Sequence, residues 1–249
     1  MLNELLLLSG NDIPFADAQV SIHQPSIKEI GLIGEDSFYS GCGVLNFSKD
    51  NLLEQDKINL GNLTNFEILM SMILDNRRLE TKKIKTDLIL VLTLLFPEYR
   101  IEPTLRGIYL IKGDEVHSIN SENFEKFKEI LTDMFCLKGS GEGAEPDYNP
   151  KGQLAKQIAD KFKKRRQKIA EQKGDTKISV LSQYASIVAV GMQLDLNTVL
   201  NYTIYQLFDQ HERLDLKDQF DRHFQAQLAG ARDLKEVDHW KKNIHSQSK

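Results

Sequence analysis

Apolar residues recur every three or four positions over most of the chain and alternate in only a few short runs. That pattern predicts many helices and few strands. The densest helical pattern is NTVLNYTIYQLFDQ, residues 197–210. Leu200, Ile204, Leu207 and Phe208 recur there at helical spacing, with Val199 and Thr203 beside them. Tyr202, Tyr205 and Phe208 spread aromatic rings around much of this predicted helix. A helix apolar on nearly every side must be enclosed by neighbours or by a partner. Asn197 stands where its N-cap belongs.

Ahead of this stretch, Leu5–Leu8 and Val20–His23 read as two strands joined through Gly10-Asn11-Asp12 and Pro14. Ser26 and Glu29 form the signature of a capping box for a helix with Ile27, Ile30 and Ile33, which Gly31 and Gly34 shorten. A second helix covers 38–45. Ser48 is a cap before 51–56, and Thr64 with Glu67 opens 66–75, whose apolar stripe is Leu63, Phe66, Leu69, Met70 and Ile73. A third clear helix, 82–96, ends at Pro97. Ile108–Ile111 and Val116–Ile119 read as a hairpin across Lys112-Gly113-Asp114-Glu115, and Ser121 caps a helix over 122–137. The first 137 residues thus mix a few strands with several helices, the α+β class.

Residues 138–150, KGSGEGAEPDYNP, carry three glycines and two prolines with no core periodicity, so they read as a linker. Helical segments follow over 151–249. Leu154, Ile158, Phe162 and Ile169 mark one, and Leu181, Ala185, Val188 and Met192 the next. Residues 197–210 follow, and then Leu216, Phe220, Phe224 and Leu228 at strict four-residue spacing mark another, with Gly230 as its stop. The organisation expected is an α+β domain over 1–137, the linker, and an all-α domain over 151–249.

A chain of 249 residues, 41% hydrophobic and 27% charged, has the composition of a soluble globular protein with a sizeable core. Its net charge of −4 exerts no global pull on nucleic acid or anionic membrane. The first eight residues, MLNELLLL, lack a basic leader and a cleavage site, and no apolar run reaches membrane-spanning length. Cys42 and Cys136 match neither a metal spacing nor a disulfide framework, which fits a reducing cytoplasm.

Candidate chemistry is sparse. Gly139, Gly141 and Gly143 alternate, but helical sequence precedes them and no Lys-Ser/Thr pair follows, so the run is a linker and not a phosphate loop. Residues 151–173 hold nine Lys/Arg and two acidic residues, about +7, which leaves about −11 on the rest of the chain. Lys163, Lys164, Arg165 and Arg166 could contact phosphates, but no stacking aromatics are interleaved. A solvated basic face, or one turned to the acidic remainder or to an acidic partner, is the favoured reading. His211, Asp215 and His223 lack the spacing of a metal site, and Asp218 and Asp221 read as helix-surface charges. No nucleophile elbow occurs. Nothing points to catalysis, a cofactor or a metal. Trp240, the one tryptophan, either docks the C-terminal end on the core or meets a partner.

Two phrases of the sequence carry a resemblance. One is VSIHQPSIKEIGLIGEDSFYSGCGVLNFSKDNL at 20–52 with LTNFEILMSMI at 63–73. The other is YNPKGQLAKQIADKF at 148–162 with LNTVLNYTIYQLFDQHERL at 196–214. Both resemble tail assembly chaperones of long-tailed phages and prophages of Gram-positive bacteria. The resemblance implies a non-enzymatic assembly factor of the host cytoplasm, absent from the finished virion. Its implied partners are the tape measure protein, whose aggregation-prone surfaces it coats, and the tail tube protein, which it recruits. In many such phages a frameshift yields a short and an extended form, and 138–150 lies where that junction could sit. Tyr202, Tyr205, Phe208 and Trp240 are the candidate partner-binding residues, with core packing the favoured role for each. The N-terminal domain is a candidate for self-association or for a second partner. The rival readings are a structural tail completion or connector protein and a nucleic-acid-binding regulator.

Overall fold

The computed structural model describes residues 2–49, 63–74, 79–137, 179–230, 237 and 239–241. Among them the chain is α+β, with two small sheets in the N-terminal part and helices alone in the C-terminal part.

The chain begins with a helix, α1 (Glu4–Ser9), where the leucine run predicted a strand. The Asn3 side chain accepts from the Leu5 N–H, and Gly10 closes the turn at φ 69°. Leucine is a strong helix former, so with a cap and a stop in place the local preference wins. Val20–Ile22 (β2) pairs instead with Ile13–Phe15 (β1), Ile13 facing Ile22 and Phe15 facing Val20. Those four side chains are buried, while Pro14 and Ser21 point outward, the alternation of a half-covered sheet.

The Ser26–Glu29 capping box forms as expected and opens α2 (Ile27–Ile33). Gly34, at φ 87°, ends α2 and starts α3 (Glu35–Leu45). Thr64 and Glu67 exchange capping hydrogen bonds ahead of α4 (Asn65–Leu74). α5 (Leu79–Leu95) runs into Pro97 and lies against α3. They meet at Gly41, where an added Cβ would stand 2.6 Å from both the Asp87 carbonyl oxygen and Val91 Cγ2. A three-stranded antiparallel sheet follows: β3 (Arg100–Pro103), β4 (Ile108–Lys112) and β5 (Glu115–Ile119), in that order. The β4–β5 hairpin is the expected one, and β3 is an addition to it. α6 (Phe124–Met134) starts two residues later than predicted. Ser121 lies in a preceding turn, which Asn123 fixes by accepting from Asn120 N–H and donating to the Ser118 carbonyl.

The C-terminal part contains α7 (Val180–Met192), α8 (Leu196–Leu200) and α9 (Ile204–Leu228). The single helix expected over 197–210 is therefore two. Asp195, not Asn197, caps α8, and Thr203 with Gln206 builds a third capping box that restarts the chain as α9. The break frees backbone groups for another use. The Ile27 N–H donates to the Tyr202 carbonyl at 2.9 Å, and Ser26 and Thr203 form a β-bridge. The Leu216–Leu228 stripe is the outer half of α9 and not a separate helix. Gly230 does stand just past its end, at φ 83°.

One hydrophobic cluster joins the two parts, from Leu7, Ile13 and Phe38 to Val188, Val199 and Leu207. Phe38 meets Phe135 edge-on at 4.9 Å, and Phe127 stacks on Phe96 at 6.0 Å. The predicted helix at 51–56, the glycine run at 138–150 and the basic segment at 151–173 lie outside the described residues.

Candidate partner-binding surface

From Ser179 to Phe208, thirty residues carry one charged side chain, Asp195, in a chain that is 27% charged. Burial accounts for part of this. Leu181, Ala185 and Val188 of α7, Val199 of α8 and Ile204 and Leu207 of α9 are in the core. It does not account for the rest, because Val180, Ile187, Val190, Met192 and Leu196 are all exposed, Val190 to 79%. Exposed aliphatics in a charge-poor stretch make this a candidate contact face, since depletion of charge sets the centre of an interface apart.

Two depressions lie on these helices. The first is a cleft of about 230 Å³ between α2, α7 and α8, walled by Ile27, Ile30, Leu181, Ala185, Leu196 and Leu200. Ser179, Ser182, Ser186 and Glu35 add polar groups. Glu35 comes from α3 and fixes the cleft's geometry. Its Oε1 accepts from the N–H groups of Val180 (3.0 Å) and Leu181 (3.3 Å), a carboxylate held at the positive end of α7. The second is a groove of about 380 Å³ beside Gly191, Met192, Leu214, Arg213, Lys217 and Trp240. α7 and α9 come close there: a Cβ on Gly191 would stand 2.9 Å from Leu214 Cδ1.

The four aromatic candidates fall in different settings. Tyr205 is 8% exposed, within the core, and burial above all pushes its hydroxyl up to about 12, with Glu4 among the charges that add to it. Phe208 is half-buried and meets Tyr184 edge-on at 5.4 Å. Tyr202 packs half-buried against the core at the α8–α9 break. Trp240 is half-buried and stacks on His239, its carbonyl accepts from Arg213 at 3.5 Å, and Lys241 Nζ lies 5.2 Å from its ring centroid. The structure does not gather the four into one patch. Phe224 (51% exposed) and Leu228 (74%) leave the outer end of α9 bare, while Phe220 is covered by His239.

The charged candidates on α9 are occupied by neighbours, His211 by a residue of α7 and the others within α9 itself. His211 stands edge-on to Tyr184 at 4.3 Å. Asp215 accepts from Gln219, His223 pairs with Gln227, Asp218 with Arg222, and Asp221 with Lys217. Among the described residues no three His, Cys, Asp or Glu form a group able to hold a metal, and no helix is long and apolar enough to cross a membrane. Both the cleft and the bare face of α7 are absent from the sequence reading. The signal for them was the uncharged run from Ser179 to Phe208, which periodicity alone assigned to the core.

Neither a curated protein nor a solved structure matches the chain significantly. A family model described as YomV second domain matches residues 171–245, which contain α7, α8 and α9; the family is phage-associated, and the match supports a phage origin for this chain.

Proposed function

We propose that this protein is a non-catalytic phage tail assembly chaperone that shields apolar helical surfaces of the tape measure protein and helps bring tail tube subunits to it. The observation that carries the reading is the open aliphatic cleft between α2, α7 and α8, set in a stretch with one charge in thirty residues. An amphipathic helix buries a stripe of aliphatic anchors in such a groove, and a few anchors supply most of the affinity. The phage-associated match covers two of these helices, α7 and α8, and its phage origin is compatible with the reading. The host cytoplasm is the place of action, before the virion is complete.

The test is co-expression with the product of the next long open reading frame downstream. The expected result is a soluble client that co-purifies with this chain. Leu196→Asp, at an exposed cleft position, is expected to lower retention at least ~10-fold, because a charge is placed against an apolar anchor. A client that stays insoluble and unbound overturns the reading, as does finding this chain as a stoichiometric part of purified particles.

A further inference from the structure

We infer that the outward face of α7 is a self-association surface on which a second copy of this chain packs its own α7. This goes beyond the client-binding reading and uses the other side of the same helix. Val180, Gln183, Ile187 and Val190 follow the three-and-four spacing of a coiled-coil seam, with β-branched residues at three of the four positions. Val180 is 48% exposed and Ile187 41%. At about 100° per residue this seam lies roughly 150° around the helix from the cleft residues Leu181, Ser182, Ala185 and Ser186. Cleft and seam can therefore be filled at the same time. Tyr184 and Gly191, set between them, face α9.

Charge identifies the occupant. α7 has no charged residue anywhere along its thirteen positions. Two copies brought face to face therefore meet no like charge, and Gln183 gives the seam one polar position that can satisfy itself across a two-fold axis. An amphipathic client carries charges beside its apolar stripe, and on this face, unlike the cleft with its Glu35, those find no counter-charge. The α7 side toward the core is already held by Leu181, Ala185 and Val188, so the seam is presented on a fixed platform. One short helix per copy falls below the ~800 Å² per partner of a standard interface, so the dimer is reversible and concentration-dependent.

Sedimentation velocity on the full chain alone, from ~1 to ~200 µM, is the test, a range that brackets micromolar association. The expected result is a monomer–dimer equilibrium that Val190→Asp weakens at least ~10-fold and Leu196→Asp leaves unchanged. Far-UV circular dichroism checks that each variant is folded, and Ile187→Gln replaces Val190→Asp if the latter is not. A wild-type chain monomeric throughout overturns the inference, and so does a dimer indifferent to both seam variants. No client is present in this experiment, so a failed co-purification and a failed dimerisation are separate results.

Discussion

Glu29 belongs to a chain of side chains at the start of α2 that runs from Asp12 through His23 and Glu29 to Ser26. His23 Nδ1 is 2.9 Å from Asp12 and its Nε2 3.3 Å from Glu29, whose other oxygen accepts from the Ser26 N–H and hydroxyl, each at 2.7 Å. Burial acts to raise the Glu29 carboxyl, but the Ser26 hydrogen bonds and the His23 charge outweigh it and hold the group below its ordinary value of 4.5. A carboxyl depressed in the folded state adds stability above its unfolded value and loses it as pH falls through the folded one. Stability is therefore expected to decline as pH drops below 4.5, less steeply in Ser26→Ala. At neutral pH that variant should lose about 0.5–2 kcal/mol, with urea midpoints at several pH values as the measurement. Both boxes expected from sequence formed, because cap and acid stand three residues apart and are read locally. Thr203 and Gln206 carry the same signature. It was illegible because apolar periodicity runs straight across the break.

At the scale of elements, α7 ends with Gln193 in the left-handed region at φ 55°, its N–H donating to Ala189 and Val190 carbonyls, while Leu194 N–H reaches back to Ala189. A side chain there strains against its own backbone and glycine does not. Gln193→Gly is expected to stabilise the protein by about 0.5–1 kcal/mol, read as a higher denaturant midpoint at unchanged slope. Helix positions were largely legible, since their spacing of apolar residues is long and redundant. The short elements were not. α1 is six residues whose leucines suit either state, and only Asn3 and Gly10 decide it. β3, Arg-Ile-Glu-Pro, is an edge strand with charged residues at two of its four positions, and it exists by pairing with β4. The cleft brings α2 against α7 and α8 from far away in sequence, so apolar spacing does not report it and only the uncharged run hints at it.

Across the whole molecule, the C-terminal helices are tied to the N-terminal part by polar contacts at named points. Glu35 caps α7, Tyr202 accepts from Ile27, and Gln206 Nε2 donates to the Leu8 carbonyl at 2.8 Å. Among the described residues the other, buried oxygen of Glu35 meets no hydrogen-bond partner, which offsets part of what the cap contributes. Glu35→Ala is expected to cost about 1 kcal/mol and to speed amide exchange at Val180 and Leu181 while leaving β4 and β5 unchanged, measured by hydrogen exchange. Uniform acceleration over the whole chain would show instead that Glu35 supports global stability. The Leu8–Gln206 contact sets a timetable for biosynthesis. These residues are 198 positions apart, a distance the ribosome covers in roughly 10–40 s. For most of that interval the nascent chain has made α1 and α2 but not the segment that will lie over them, so the N-terminal part spends its first seconds with an uncovered apolar flank.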